Sequence, residues 1–254
     1  MLIVVAAAAA FPAFWRALRA MDARTVAIFS GIGVVVSLHW LTFYGAIKLS
    51  NASVAATCMA MTPVFTSFVE PWVTRSRFDP RDMLIGVAAI PGVALVVGGT
   101  PDGMRFGIAV GVLSAFFVAV FGSLNKRYVH EGEPLAVTGL ELAAGTVFLT
   151  LVAWMVPQAG AMPTLPGVHD AVLLAILALV CTLFPFWLSL IALKHLSAFS
   201  AQLAVSLEPV YAILLAIVLL GEQRELGVAF YLGVAIILGS VFAHTALKLR
   251  SAAS

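Results

Sequence analysis

Four ionisable side chains stand in otherwise apolar stretches of the sequence: His39, Glu70, Glu141 and Glu208. An ionisable group at bilayer depth costs about 2.5–3.5 kcal/mol on insertion scales, so each needs a structural or functional reason. A carboxylate there can hold a proton or a substrate ammonium, and an imidazole can carry a proton near neutral pH. Glu208 precedes Pro209, and proline removes a backbone donor and disturbs a helix. The carbonyl of residue 205 is then freed, and Glu208 is expected on a polar, kinked helix face. A protonated Glu bonded to a neighbouring helix is an equally open reading. Glu141 reads as a cavity carboxylate, a helix–helix hydrogen bond or a side chain reaching toward the membrane surface. His39 is followed by Trp40, Phe43 and Tyr44, which together could wall a substrate site. The alternative is a neutral His bonded to a backbone carbonyl. Asn125 and Gln202 add weaker polar candidates. Glu70, close to Trp72, Arg75 and Arg77, reads as an interfacial carboxylate paired with arginine. The expected binding residues are therefore His39, Trp40, Tyr44, Asn125, Glu141, Gln202 and Glu208, with no catalytic and no metal-binding residue.

The elements that must carry these residues are membrane helices. The chain has 254 residues, 62% hydrophobic and 10% charged, where a soluble domain carries about 25% charged residues. Lipid must therefore solvate most of the surface. A net charge of +2 gives no footing for nucleic acid. Cys58 and Cys181 lie in apolar runs without metal or redox spacing, and both read as buried small hydrophobes. No nucleotide-binding or nucleophile motif is present, so no cofactor is expected. Crossing the hydrocarbon core takes roughly 20 apolar residues. Nine spans are predicted, at about 1–15, 26–47, 52–73, 83–99, 104–125, 134–156, 170–193, 199–220 and 227–247. The connections are short and hold most of the charge. Placing the C-terminus in the cytoplasm puts Arg16, Arg19, Arg24, Arg75, Arg77, Arg81, Lys126, Arg127, Lys194, Lys248 and Arg250 inside, with Lys48, Arg105 and Arg224 outside. This is the orientation that the excess of basic residues on the inner side requires.

One pattern occurs twice. Ala46-Ile47-Lys48, Ala52, Ala55 and Pro63-Val64 recur at a constant offset of 146 residues as Ala192-Leu193-Lys194, Ala198, Ala201 and Pro209-Val210. The copies are an odd number of spans apart and so face opposite ways. Such an inverted repeat points to a secondary transporter. The domain organisation that follows is a first repeat unit over 1–101 with four spans, a second over 102–250 with five, and a cytoplasmic tail over 251–254. The first unit is then short of one helix that would precede Met1.

The stretch His39-Trp40-Leu41-Thr42-Phe43-Tyr44-Gly45-Ala46-Ile47-Lys48, with Asn51-Ala52-Ser53-Val54-Ala55 and Thr62-Pro63-Val64-Phe65, resembles the EamA-type drug/metabolite transporter repeat. The second copy, through Ser197-Ala198, Leu207-Glu208-Pro209-Val210-Tyr211 and Leu219-Leu220-Gly221-Glu222, resembles it more closely. Gly221-Glu222 has no clean partner in the first copy, which reads Val73-Thr74-Arg75-Ser76. The resemblance implies an all-α polytopic bundle of inverted five-helix halves around a central cavity. It implies export or facilitated movement of small metabolites, often amino acids, across the bacterial inner membrane. Alternating access, a small-molecule substrate, protons as coupling ion, and a monomer or homodimer in the bilayer complete the expectation. A non-transporting or truncated paralogue serving as a membrane assembly partner is the alternative. An integral membrane enzyme is disfavoured, because His39, His130, His169, His195 and His244 are scattered along the chain.

Overall fold

The structure, a computed structural model, describes residues 2–78, 88, 91–155, 167–205 and 208–253. Among these, every regular element is helical: α1 Leu2–Ala9, α2 Pro12–Ala20, α3 Ala23–Leu49, α4 Ala52–Met59, α5 Thr62–Thr74 and α6 over 91–98. Then follow α7 Arg105–Tyr128, α8 Pro134–Met155, α9 Val168–Ala178, α10 Phe184–Leu193, α11 Ala198–Val205, α12 Glu208–Leu215 and α13 Val228–Ala253. Five stretches among the described residues are long and apolar enough to cross a bilayer: Ala23–Leu49, Ala52–Thr74, Asp102–Tyr128, Pro134–Met155 and Val168–Leu193. Shorter apolar helices cover Val210–Leu220 and Val228–Ser240. The protein is an all-α polytopic membrane protein. Of the fourth expected span, residues 83–87, 89 and 90 lie outside the described set, and 91–99 fall on α6 and its end.

The helix boundaries follow local chemistry. Asp22 Oδ1 accepts the Thr25 N–H at 3.0 Å and caps α3. Pro134 opens α8, where its missing N–H is no loss, and Glu133 Oε2 takes the Ala136 N–H at 3.0 Å. Lys126 and Arg127 close α7, the sign that a helix C-terminus favours. Several expected spans prove to be interrupted. Residues 1–15, expected as one short helix, divide at extended Phe11 (φ −90°, ψ 123°) before Pro12, because proline holds its predecessor out of the α region. The third span breaks at Ala60–Met61, where the amides of Ala60 and Met61 bond Thr57 O and Cys58 O in tightened i→i−3 geometry, each at 3.1 Å. Pro63 supplies the reason, having no N–H for the preceding turn. The seventh span contains a π-helical segment, Leu179–Leu183, just before Pro185. Cys58 is buried as expected, whereas Cys181, in that π segment, is exposed. In a bundle solvated by lipid, an apolar run does not tell an inward from an outward thiol.

Two compact units are present: residues 1–37 with 125–196, and residues 38–124 with 197–254. In the first, α8 is the centre, packed by α1, α2 and α10. Phe14 and Ala136 are the buried pair under α2. In the second, α4 packs on α12 and α5 on α11. The first half of one span thus lies against the second half of the other, an antiparallel pair. Val54, Cys58, Ile108, Ile213, Phe230 and Ile237 form its apolar core.

Candidate functional site

In the first unit, the buried face of α8 presents Val137, Thr138, Glu141, Leu142 and Gly145, the i, i+4, i+8 spacing of one helix stripe. Glu141 is 0% exposed. Its Oε2 faces Asn125 Nδ2, itself buried, at 3.4 Å. Glu141 Oε1 and Asn125 Oδ1 are buried acceptors with no partner among the described residues. Two unpaired acceptors side by side call for a donor such as a proton, a water or an ammonium. The backbone of α3 presses directly on this point. A Cβ on Gly33 would collide with the carbonyl oxygen of Glu141, so only glycine lets the two helices approach and hold the carboxylate in place. Nearby, Lys126 Nζ donates to Leu193 O at 2.7 Å and so completes the C-terminus of α10.

In the second unit, His39 is bound at Nδ1. Ser114 Oγ lies 2.8 Å from it, and Ser114 O lies at 3.3 Å. The Ser114 hydroxyl donates to His39 O at 3.0 Å. One hydroxyl hydrogen cannot serve two acceptors, so Nδ1 is the donor and the ring is the Nδ1–H tautomer. Phe43 and Phe121 flank the imidazole at 5.9 and 5.8 Å. Trp40 is half-buried and Tyr44 is 52% exposed. His39 is therefore tied to α7 by a serine that the sequence reading had not singled out.

Glu208 is exposed and lies on α12, next to Pro209. The expected proline kink turns on residues 206–207, which lie outside the described residues. Gln202 lies on α11. Of the expected set, Glu141 and Asn125 meet in one unit, while His39, Trp40, Tyr44, Gln202 and Glu208 belong to the other.

Glu222, which has no clean partner in the first copy of the repeat, is only 7% exposed. Its two carboxylate oxygens accept the backbone N–H groups of Ala52 (3.0 Å) and Ser53 (2.8 Å) at the start of α4. Asn51 Oδ1 takes the Val54 N–H at 3.0 Å, and Asn51 Nδ2 donates to Glu225 Oε2 at 3.0 Å. Glu70, 9% exposed, takes the Ala198 N–H at 2.9 Å at the start of α11. Glu70, expected as an interfacial carboxylate, is thus buried and bonded to the start of the other copy's helix. The signal for both was available in the repeat, since Asn51-Ala52 and Ser197-Ala198 are matched helix starts in need of acceptors.

The comparisons with known proteins bear on what such a bundle does. The fold is that of a protein of known crystal structure, matched with a TM-score of 0.60 at 18% identity over 99% of this chain and 86% of the other. Interrupted apolar helices around a buried, incompletely paired carboxylate define a helical membrane protein with polar business at depth. Residues 1–98 and 105–245 match the EamA-like transporter family, and the chain belongs to it. It is 24% identical to an uncharacterized transporter of Archaeoglobus fulgidus over 87% of this chain and 75% of that protein. It is 23% identical to the uncharacterized transporter YyaM of Bacillus subtilis over 68% of this chain and 58% of that one. The family is one of transporters, not enzymes, which places this multi-pass chain among membrane transporters of small molecules.

Proposed function

We propose that the protein is a secondary transporter that exports, or passively conducts, a small amine-bearing metabolite, with amino acids the leading class. Its two inverted halves would rock about a midplane site in alternating access. The observation that supports this reading is the Glu141–Asn125 pair: a carboxylate fully removed from solvent, with one oxygen and the adjacent amide oxygen both unpaired. An ammonium brings three donors to such a pair in charge-assisted bonds, and a proton can replace it on the return step. His39 and Glu208 are the second-rank groups for proton or substrate, followed by Trp40, Tyr44 and Gln202. The repeat units over 1–101 and 102–250, the cytoplasmic C-terminus and the bacterial inner membrane belong to the same proposal, drawn from the repeat and from the placement of Lys and Arg.

The test is uptake of a labelled amino-acid panel into proteoliposomes, across pH 5–8, for wild type, Glu141→Gln and Glu208→Gln. Glu141→Gln should lose at least tenfold in rate and lose its pH dependence while the protein stays monodisperse. Glu208→Gln should have the smaller effect. Saturable uptake by wild type together with an unaltered Glu141→Gln profile would remove Glu141 from the site. No uptake of any amino acid by wild type would remove the substrate class.

A further inference from the structure

The antiparallel pair made by α4–α5 and α11–α12 is fastened at both ends by the same device, with the copies exchanging roles. At one end, Asn51 caps α4 through Val54, and Glu222 takes the N–H groups of Ala52 and Ser53. At the other, Ser197 Oγ caps α11 through the Ser200 N–H at 3.0 Å, and Glu70 takes the Ala198 N–H. Asn51 and Ser197 are 146 residues apart, the offset of the repeat. Each carboxylate comes from the copy whose helix is ending and serves the copy whose helix is starting.

We propose that Glu222 and Glu70 are positioning residues that act as two latches, one at each end of this pair, and that the transport cycle releases them alternately. The proposal rests on the alternating-access reading above. A helix start has N–H groups with no partner of its own and must find acceptors. While an end is closed and dry, only the carboxylate can supply them, and leaving them unmet is costly. When that end opens, water replaces the carboxylate. Latching and hydration of one end are thus mutually exclusive. The interruption at Ala60–Met61 gives the first helix a place to bend, so one end can part while the other stays fastened. Two latches in competition make a two-state element whose balance either one can tip.

The native thiols provide a readout that needs no substrate. Cys58 is buried on α4, six residues past Ala52, about 9 Å along the helix from the Glu222 latch and much farther from the Glu70 latch. In nanodiscs, with exposed Cys181 replaced by Ser, the rate of Cys58 modification by a cationic methanethiosulfonate reports opening at the Glu222 end. Glu222→Gln should raise that rate about tenfold, equivalent to about 1.4 kcal/mol in the opening equilibrium. Glu70→Gln should lower it, because the opposite end now opens in preference. The double variant should return toward wild type. If the glutamine variants do not yield monodisperse protein, Glu222→Asp and Glu70→Asp keep the charge, shorten the reach and should shift the rate in the same opposite directions. Two increases would mean general loosening and would overturn the proposal, as would two unchanged rates. Either result leaves the Glu141 test untouched, and loss of uptake in Glu141→Gln leaves this one untouched.

Discussion

The starts of α4 and α11 are the same construction in two settings. Both have a side-chain cap at the residue before the helix and a distant carboxylate on the first amide. At α4 the whole group is buried: Asn51, Ser53 and Glu222 are all shielded, and Glu222 spends both oxygens on two amides. At α11, Ser197 and Ser200 are exposed, and the serine hydroxyl also bonds Ser200 Oγ at 2.8 Å. The C-terminal sides differ too. The two described residues with positive φ are Gly221 (72°) and Arg75 (59°), again 146 apart. Duplication kept the backbone path while the side chains diverged. The absence of a first-copy partner for Gly221-Glu222 is therefore true of the letters only. Arg75 matches Gly221 in conformation, and Glu70 matches Glu222 in task.

Five substitutions would break or sharpen this contrast. The largest effect belongs to Glu222→Gln, which removes two buried charge-assisted bonds. It should lower stability by about 2–3 kcal/mol against about 1–2 kcal/mol for Glu70→Gln, read as loss of monodisperse protein on heating in detergent. Equal losses would mean that burial at α4 adds nothing. Next, Gly221→Ala should cost about 1 kcal/mol and Arg75→Gly should gain up to about 1 kcal/mol, since an L-residue is strained in the left-handed region and glycine is not. Opposite signs in the same assay are the expected outcome. The smallest effect lies at a short-range counterpart, Asp22 on α3. Its hydrogen bonds with Thr25, side chain first and then backbone, hold its carboxyl below the usual 3.8. A lowered folded pKa means that the contribution is full above the ordinary value and is lost as pH falls through the lowered one. Asp22→Asn should therefore flatten the stability profile below about pH 4, where wild type still declines.

Much of this architecture was legible because its signals are strong. Unbroken apolar runs give spans, and the boundaries read for 26–47, 104–125, 134–156 and 170–193 each fall within a few residues of a helix. The interruptions were harder. Pro12, Pro63 and Pro185 were visible, but whether a proline kinks a helix or restarts one depends on the residues just before it. Glu141 with Asn125 and His39 with its aromatic neighbours were found because a polar residue in an apolar run is conspicuous. Their partners were not. Ser114 is an unremarkable serine in a helix, and Gly33 is one glycine among many until the backbone of Glu141 is laid against it. Glu222 was passed over because it follows a span end, where a charge looks solvated. Only the helix start 170 residues earlier in the chain makes it a buried one.

That separation also has a meaning in time. The first amides of α4 leave the ribosome long before the carboxylate that will serve them. At the usual 5–20 residues per second, the intervening 170 residues take roughly 10–30 s to synthesise. Through that interval a growing chain holds a helix start without its acceptor. The first copy must wait near water or in the care of the insertion machinery, and it is finished only when the second copy arrives to close it.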